Sequence, residues 1–290
     1  MHALGIDVGG TGIKGGVVEL ETGRLVSERI RERTPLPATP EAVVEVVARV
    51  CERLVEGGWL TPELPAGVGV PVVVKEGISL TAANVDPSWI GAPIETLLRE
   101  RLQLPVVALN DADAAGLAEV AYGAGKGHPG VTLLLTIGTG IGSALIVDGR
   151  LVPNTELGHL QLHGREAETL VSGAARVRRH RGWKRWAREF NAYLALVEAY
   201  FWPDLLILGG GVSKEMARYE RYLRARAPIV PASMLNTSGI VGAAMAAVAA
   251  ATPVRAVAQT PPAEAAREVV AETAAETTGA AGSGPDLGGA

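Results

Sequence analysis

The chain has one cysteine, Cys51, among 290 residues. That excludes an intramolecular disulfide framework and gives no support to a cysteine-based zinc site. A reducing, cytoplasmic compartment is the expectation. An excess of positive charge is missing too: 27 Lys and Arg against 31 Asp and Glu leave a net charge of -4. The molecule as a whole is therefore not built to coat nucleic acid or an anionic membrane. The longest apolar tract, Val241 to Ala251, is too short to span a bilayer. Met1 leads within two residues into a strand-like run, with no basic and apolar leader, so neither a signal peptide nor a transmembrane segment is expected. No G-x-x-x-x-G-K-[ST] phosphate loop occurs.

What is present suits a soluble globular protein with a large core: 48% hydrophobic and 20% charged residues, in a chain long enough for two lobes. Strands are predicted at 2–8, 15–20 and 24–30, joined by glycine-containing turns. Thr39 can cap a helix with Pro40 in its first position, and Val43, Val46, Val47, Val50 and Leu54 repeat at helical spacing. The nearly continuous apolar run from Val68 to Val74 suits a strand covered on both faces. A helix at 94–101, a strand at 106–109 and a helix at 113–121 follow. The same order then repeats: strands at 131–137, 142–147 and 150–152, a helix at 184–200, a strand at 204–208 and a helix at 214–223. Such duplication predicts two similar α/β lobes, 1–122 and 123–252, with a cleft lined by the first hairpin of each. From 253 to 290 the composition turns to Ala, Glu, Thr, Pro and Gly, which predicts a disordered tail.

Three glycine clusters each follow an apolar strand. In the first, Asp7-Val-Gly9-Gly10-Thr11-Gly12-Ile-Lys14, backbone N–H groups can converge on an anion, with the Thr11 hydroxyl and the Lys14 charge beside them. Asp7 could hold a magnesium ion or its waters. The alternative is a hairpin whose glycines only supply positive φ. The second cluster offers Gly138, Thr139, Gly140 and Gly142, and the third offers Gly209, Gly210 and Gly211 between a strand and a helix.

Asn110-Asp111 stands where an apolar strand meets a helix: Asp111 can act as a base on a hydroxyl and Asn110 can bond a neighbouring one, unless the pair is simply a cap. Glu156, His159 and Glu168 suit a polyhydroxylated ligand, because a carboxylate can accept from two vicinal hydroxyls. Metal binding by His159 and His163 is the rival reading, without a cysteine to complete a zinc set. From Arg176 to Arg188 come Arg176, Arg178, Arg179, Arg181, Lys184, Arg185 and Arg188, with no acid among them. That run suits a polyanion, or else forms the solvated face of a helix whose apolar stripe is Trp183, Trp186, Phe190 and Leu194.

Taken together, D-V-G-G-T, N-D, G-T-G-x-G, E-x-G-H and L-G-G-G, in this order from Asp7 to Gly211, resemble the ROK family (repressors, open reading frames, kinases) of the actin-like ATPase and sugar kinase superfamily. The resemblance implies a duplicated actin-like, hexokinase-like fold of the ribonuclease H-like type, with an interlobe cleft. It also implies phosphoryl transfer to a hexose, with Asp111 as base and Asn110, Glu156, His159 and Glu168 on the sugar. The turns from Asp7 to Lys14 and Gly138 to Gly142 would grip phosphate. Many members carry a C-x-C-G-x-x-G-C zinc cluster after E-x-G-H. Here Leu160 to Glu168 contains no cysteine, so no zinc is expected and the place of Glu168 is less secure. The segments H-G-R-E-A-E, K-R-W-A-R-E-F-N and P-D-L-L-I-L-G-G-G-V-S-K are similar to the polyphosphate-using glucokinases of the family. That implies glucose, inorganic polyphosphate and ATP as substrates, magnesium as cofactor and a homodimer. N-V-D-P-S-W at Asn84 to Trp89 also resembles that subgroup, with no role assigned. Family regulators carry an N-terminal helix-turn-helix, whereas this chain enters its first strand by Leu4.

Overall fold

A computed structural model describes residues 1–251; the tail read at 253–290 lies outside the described residues. The first half runs β1 (His2–Gly9), β2 (Gly12–Glu19), β3 (Arg24–Leu25), β4 (Ile30–Glu32), α1 (Pro40–Glu56), β5 (Ala66–Val70), β6 (Val74–Lys75), β7 (Ile78–Ser79), α2 (Ile94–Leu102), β8 (Val106–Asn110) and α3 (Asp111–Tyr122). The second half runs β9 (Val131–Ile137), β10 (Ile141–Val147), β11 (Arg150–Val152), β12 (Gln161–Leu162), β13 (Arg165–Glu166), α4 (Ala167–Val171), α5 (Gly173–Arg178), α6 (Trp183–Phe201), β14 (Leu205–Gly209), α7 (Gly210–Ser213), β15 (Ile229–Pro231) and α8 (Ser238–Ala251).

The two main sheets share one plan. In the first the order is β3-β2-β1-β5-β8, with β4 also paired to β2; in the second it is β11-β10-β9-β14-β15. Each is an antiparallel hairpin continued by two parallel strands. The carboxyl ends of β1, β8, β9 and β14 all lead into the cleft, where α/β sheets bind their ligands. Among the described residues no helix is long and apolar enough to cross a membrane.

Local chemistry explains most of the elements. Thr39 accepts from the Ala42 N–H at 3.3 Å and Pro40 opens α1, whose valine stripe is buried against the first sheet. Two expected elements differ. The run from Val68 to Val74 is divided, because Pro71 lacks the N–H a ladder needs; the chain leaves β5 and re-forms the β6–β7 hairpin. The helix expected at 214–223 is absent, replaced by single turns of 3-10 helix at Met216–Arg218 and Glu220–Tyr222. Tyr219 decides this. Its ring is fully buried, stacked on Trp183 at 5.2 Å and edge-on to Trp186 at 5.0 Å, and its hydroxyl donates to the Val212 carbonyl. A continuous helix would give up that packing for a weak local preference.

Between the sheets lie α3 and α8. The range of α8 falls within the second half of the sequence, yet it packs on β1, β5 and β8 of the first sheet and along α3. Approach at backbone distance is possible because side chains are missing. A Cβ built on Gly5 would overlap the Ile240 carbonyl, one on Gly67 the Ala243 carbonyl, and one on Gly242 the Ala114 carbonyl. Gly242→Ala is therefore expected to destabilise the protein by about 3 kcal/mol or more, since neither helix backbone can retreat. Urea unfolding followed by tryptophan fluorescence measures this, and an unchanged midpoint contradicts it.

Candidate active site

Two chambers meet at Asp111. One, of about 230 Å³, is walled by Thr81, Ala83, Asn84, Asn110, Gly138 to Gly142, Glu156, His159 and Glu168, with Gly10 at its edge. The other, also about 230 Å³, is walled by Asp7, Lys14, Ala112, Glu119, Gly209 to Gly211, Lys214, Asn236, Ser238 and Gly239. Asp111, Thr136 and Gly210 belong to both. Gly210 has a φ of +74°, and the space a Cβ would take is occupied by the Ile137 backbone, so this shared wall accepts only glycine.

Asp111 is the first residue of α3, immediately beyond β8. Burial pushes its carboxyl up to about 7; the nearby Asp7, Glu156 and Asp113 carboxylates push the same way, against the Ala112 N–H, which lowers it. Asn110, not Asp111, is the cap: its side-chain oxygen accepts from the N–H groups of Ala112 at 2.9 Å and Asp113 at 3.1 Å. Its amide nitrogen meanwhile donates to the Val72 carbonyl at 3.3 Å and toward Glu156 Oε1 at 3.4 Å. Of the two readings of the sequence, the cap is the one the hydrogen bonds show, while the same side chain also lines the chamber.

The second-half carboxylates gather around His159. Its Nε2 lies 3.6 Å from Glu156 and its Nδ1 3.4 Å from Glu166. Burial raises the Glu156 carboxyl, His159 lowers it and Glu168 raises it. Glu168 Oε2 accepts the Ile141 N–H at 3.1 Å, which seats it beneath the Gly138 to Gly142 turn and inside the chamber. Among the described residues His159, Glu166 and Glu168 place possible ligand atoms within 4.8 Å of one another, with no cysteine in the set. His163 does not line the chamber among these residues.

The phosphate-type turns are partly occupied by their own neighbours. Asp7 and Lys14 face each other across the β1–β2 ladder and pair at 2.8 Å. Gly9, Thr11 and Gly12 shape the hairpin without lining either chamber; Arg31 reaches under it to the Thr11 carbonyl at 3.3 Å. Gly10 stands open. The N-terminus of α8 adds a feature the motifs did not show: Gly239 packs against the Asp7 carboxyl group, which keeps the helix start beside that charge.

The basic run does not form one field. Arg176 lines a separate cavity of about 430 Å³ with Gly138, Thr139, Gly211, Trp183 and Arg218, its guanidinium 4.0 Å from the Trp183 ring centroid. Arg179 and Arg181 both pair with Glu189, the residue just after the run. Arg178, Lys184, Arg185 and Arg188 are exposed and stand away from both chambers. Sequence reasoning missed Thr81, Thr136, Lys214 and Asn236 on the chamber walls, and Asn84 was noticed without a role. It also missed Asp113, whose N-D-x-D spacing was the available signal. Burial pushes this carboxyl up to about 7, the Asn154 N–H lowers it and Glu156 raises it.

Two sheets of one plan, closing on a carboxylate that faces a polar chamber on one side and glycine turns on the other, define a two-lobed sugar kinase of the actin-like and hexokinase-like fold. The chain belongs to the ROK family, whose model matches residues 3–176. It is 50% identical over 252 residues to the polyphosphate glucokinase of Mycobacterium tuberculosis, covering 87% of this chain and 93% of that protein. The glucokinase of Streptomyces coelicolor is 31% identical, covering 83% and 96%. Among solved structures, the inorganic polyphosphate/ATP-glucomannokinase of Arthrobacter sp. strain KM superposes with a TM-score of 0.80 at 50% identity, covering 86% of this chain and 99% of that one. A ROK family glucokinase from Streptomyces griseus, solved with glucose and AMPPNP, gives a TM-score of 0.71 at 27% identity, covering 86% and 100%.

Because folding raises the Asp111 pKa from 3.8 toward about 7, the fold favours the protonated acid. Stability is fullest below the unfolded value and falls as pH rises to about 7. Asp111→Asn, which carries no charge, is expected to melt several degrees above wild type at pH 8, with the gap closing toward pH 4. Melting curves across that range check this; a constant gap contradicts it.

Proposed function

We propose that this protein transfers the terminal phosphoryl group of inorganic polyphosphate, with ATP as a second donor, to the 6-hydroxyl of glucose. The observation that carries the reading is the place of Asp111, on the wall common to the two chambers. A sugar hydroxyl in the first chamber loses its proton to the Asp111 carboxylate as its oxygen attacks phosphorus. The bond from that phosphorus to the rest of the donor breaks, and the shortened donor leaves with its charge. Asn110, Glu156, His159 and Glu168 orient the hydroxyls, while the backbone of the Gly138 to Gly142 turn, Gly209 to Gly211 and Lys14 offset phosphate charge. Such a reaction depends on positioning and electrostatics more than on covalent help.

Mg2+ is the proposed cofactor: Asp7 brings a carboxylate oxygen to the wall of the second chamber beside the glycines 209–211, a hard donor that fits a divalent cation held directly or through water. The names of the relatives at 50% identity support the polyphosphate donor. Arg176, Trp183 and Arg218, beside Gly138 and Gly211, offer cationic and aromatic surface where a long donor leaves the turns, with Arg178, Lys184, Arg185 and Arg188 exposed further out. ATP is favoured by the neighbour solved with AMPPNP. A cytoplasmic homodimer completes the reading. Cys51 supports the compartment, as a free thiol that burial pushes up to about 12. Exposed Tyr200 and Trp202 support self-association, and light scattering should give about twice the 30.1 kDa chain mass.

Glucose 6-phosphate formation with each donor tests the assignment: activity with both is expected, and a protein active with ATP but inert with polyphosphate removes the donor claim. Asp111→Asn should lower kcat about a thousandfold with little change in glucose binding. In wild type, kcat/KM for glucose should fall about tenfold per pH unit below about 7, as the base takes up its proton. Arg176→Gln should raise KM for polyphosphate several-fold and leave KM for glucose alone, which steady-state kinetics will decide.

A further inference from the structure

Among the described residues, two side chains tie the two halves together by several hydrogen bonds each: Glu119, which accepts from Ser233 and Met234 and lines the second chamber, and Asn154, which lines neither chamber. Asn154, in the loop between β11 and Glu156, has a φ of +60°. Its side chain behaves like a strand residue toward β6: the Val74 N–H donates to Oδ1 at 3.1 Å, and Nδ2 donates to the Val74 carbonyl at 2.9 Å. The Asn154 backbone N–H donates to Asp113 Oδ2 at 2.7 Å. Asp113 is 1% exposed, on the first turn of α3, and its Oδ1 is buried with no hydrogen-bond partner. Keeping a carboxylate there at half its accepting capacity is costly.

The two ends of this contact are the roots of facing walls. Beyond the β6–β7 hairpin the chain forms the Thr81 to Val85 wall of the first chamber, with Val73 N–H bonded to Thr81 Oγ1 at 2.9 Å. Two residues beyond Asn154 comes Glu156, which lines the same chamber from the second half. Neither Asn154 nor Asp113 lines the chamber itself. We propose that Asn154, held by Asp113, is a positioning residue that sets the spacing between these two walls and thereby the affinity of the chamber for its sugar. This rests on the reading of that chamber as the hexose site.

The test variant is Asn154→Gly. Glycine is at ease at a φ of +60° and retains the N–H that Asp113 accepts, so only the two bonds to Val74 are lost. Glucose Kd, measured by calorimetry on the full chain without donor, is expected to rise about tenfold, the size of two neutral hydrogen bonds. At saturating glucose, kcat and the KM for donor should stay within about twofold. Asp113→Ala should weaken glucose binding likewise, whereas Asp113→Asn, still able to accept from the Asn154 N–H, should restore it. Glucose Kd within twofold of wild type in Asn154→Gly overturns the proposal, as does an equal loss of affinity in Asp113→Asn and Asp113→Ala. Wild-type protein that takes up no glucose overturns instead the reading of the chamber on which the proposal rests.

Discussion

The contact on which the molecule depends is made by two helices that have almost no side chains where they meet. Ala114 of α3 faces Gly242 of α8, and Gly5 and Gly67 of the first sheet admit the α8 backbone at Ile240 and Ala243. Beside these backbone contacts Ile240, Val241 and Ala244 of α8 are buried in an apolar cluster with Ala118 of α3, so close approach and apolar burial act together. Both helices begin at carboxylates that line the second chamber. α3 starts with Asp111 and α8 starts beside Asp7, so the spacing of these carboxylates is inherited from the depth at which the helices settle. Gly116 carries the same geometry across to the second sheet, lying against Ala144 of β10.

What gathers around those helix starts is negative. Asp7, Glu156 and Asp113 all push the Asp111 carboxyl upward in addition to its burial. Lys14 is committed to Asp7 and cannot serve the whole cluster. A phosphate donor entering such a place needs positive charge brought with it or positive charge further along its path. Charge of the second kind stands outside the chambers, on Arg176 and Arg218 at 4.0 and 5.6 Å from the Trp183 ring centroid; among the described residues no carboxylate pairs with Arg176, whereas Glu215 pairs with Arg218 at 3.2 Å. Glu189 does neutralise Arg179 and Arg181, so a stretch that contains no acid still loses part of its field to the next residue.

Much of this was readable along the chain. The strands at 131–137 and 150–152 and the valine stripe of α1 depend on local pattern and stand where that pattern puts them; the duplicated order holds except for the helix expected at 214–223, and Asn110, Asp111, Glu156, His159 and Glu168, picked out by motif, line one cavity. What was not readable depends on contacts between distant segments. Tyr219 leaves its expected helix for Trp183 and Trp186, Pro71 breaks a strand that periodicity would continue, and α8 crosses to the first sheet through glycines that a hydrophobicity pattern counts as neutral. Thr81, Thr136 and Asn236 are ordinary polar residues in a loop, a strand and a 3-10 turn, and only the folding of distant segments together makes them walls.

Asn110 holds α3 by its oxygen and looks toward Glu156 with its nitrogen. A side chain committed in this way is poor raw material for change. Any substitution that altered its contact with Glu156 would also uncap the helix that begins with Asp111, so a change on the chamber side of this residue would carry over into the placing of that carboxylate. The wall made by Thr81, Ala83, Asn84 and Val85 has no such double duty, since none of the helices α1 to α8 is capped from it. The division separates a part of the chamber whose shape is tied to the seating of α3 from a part that can be altered without disturbing that helix.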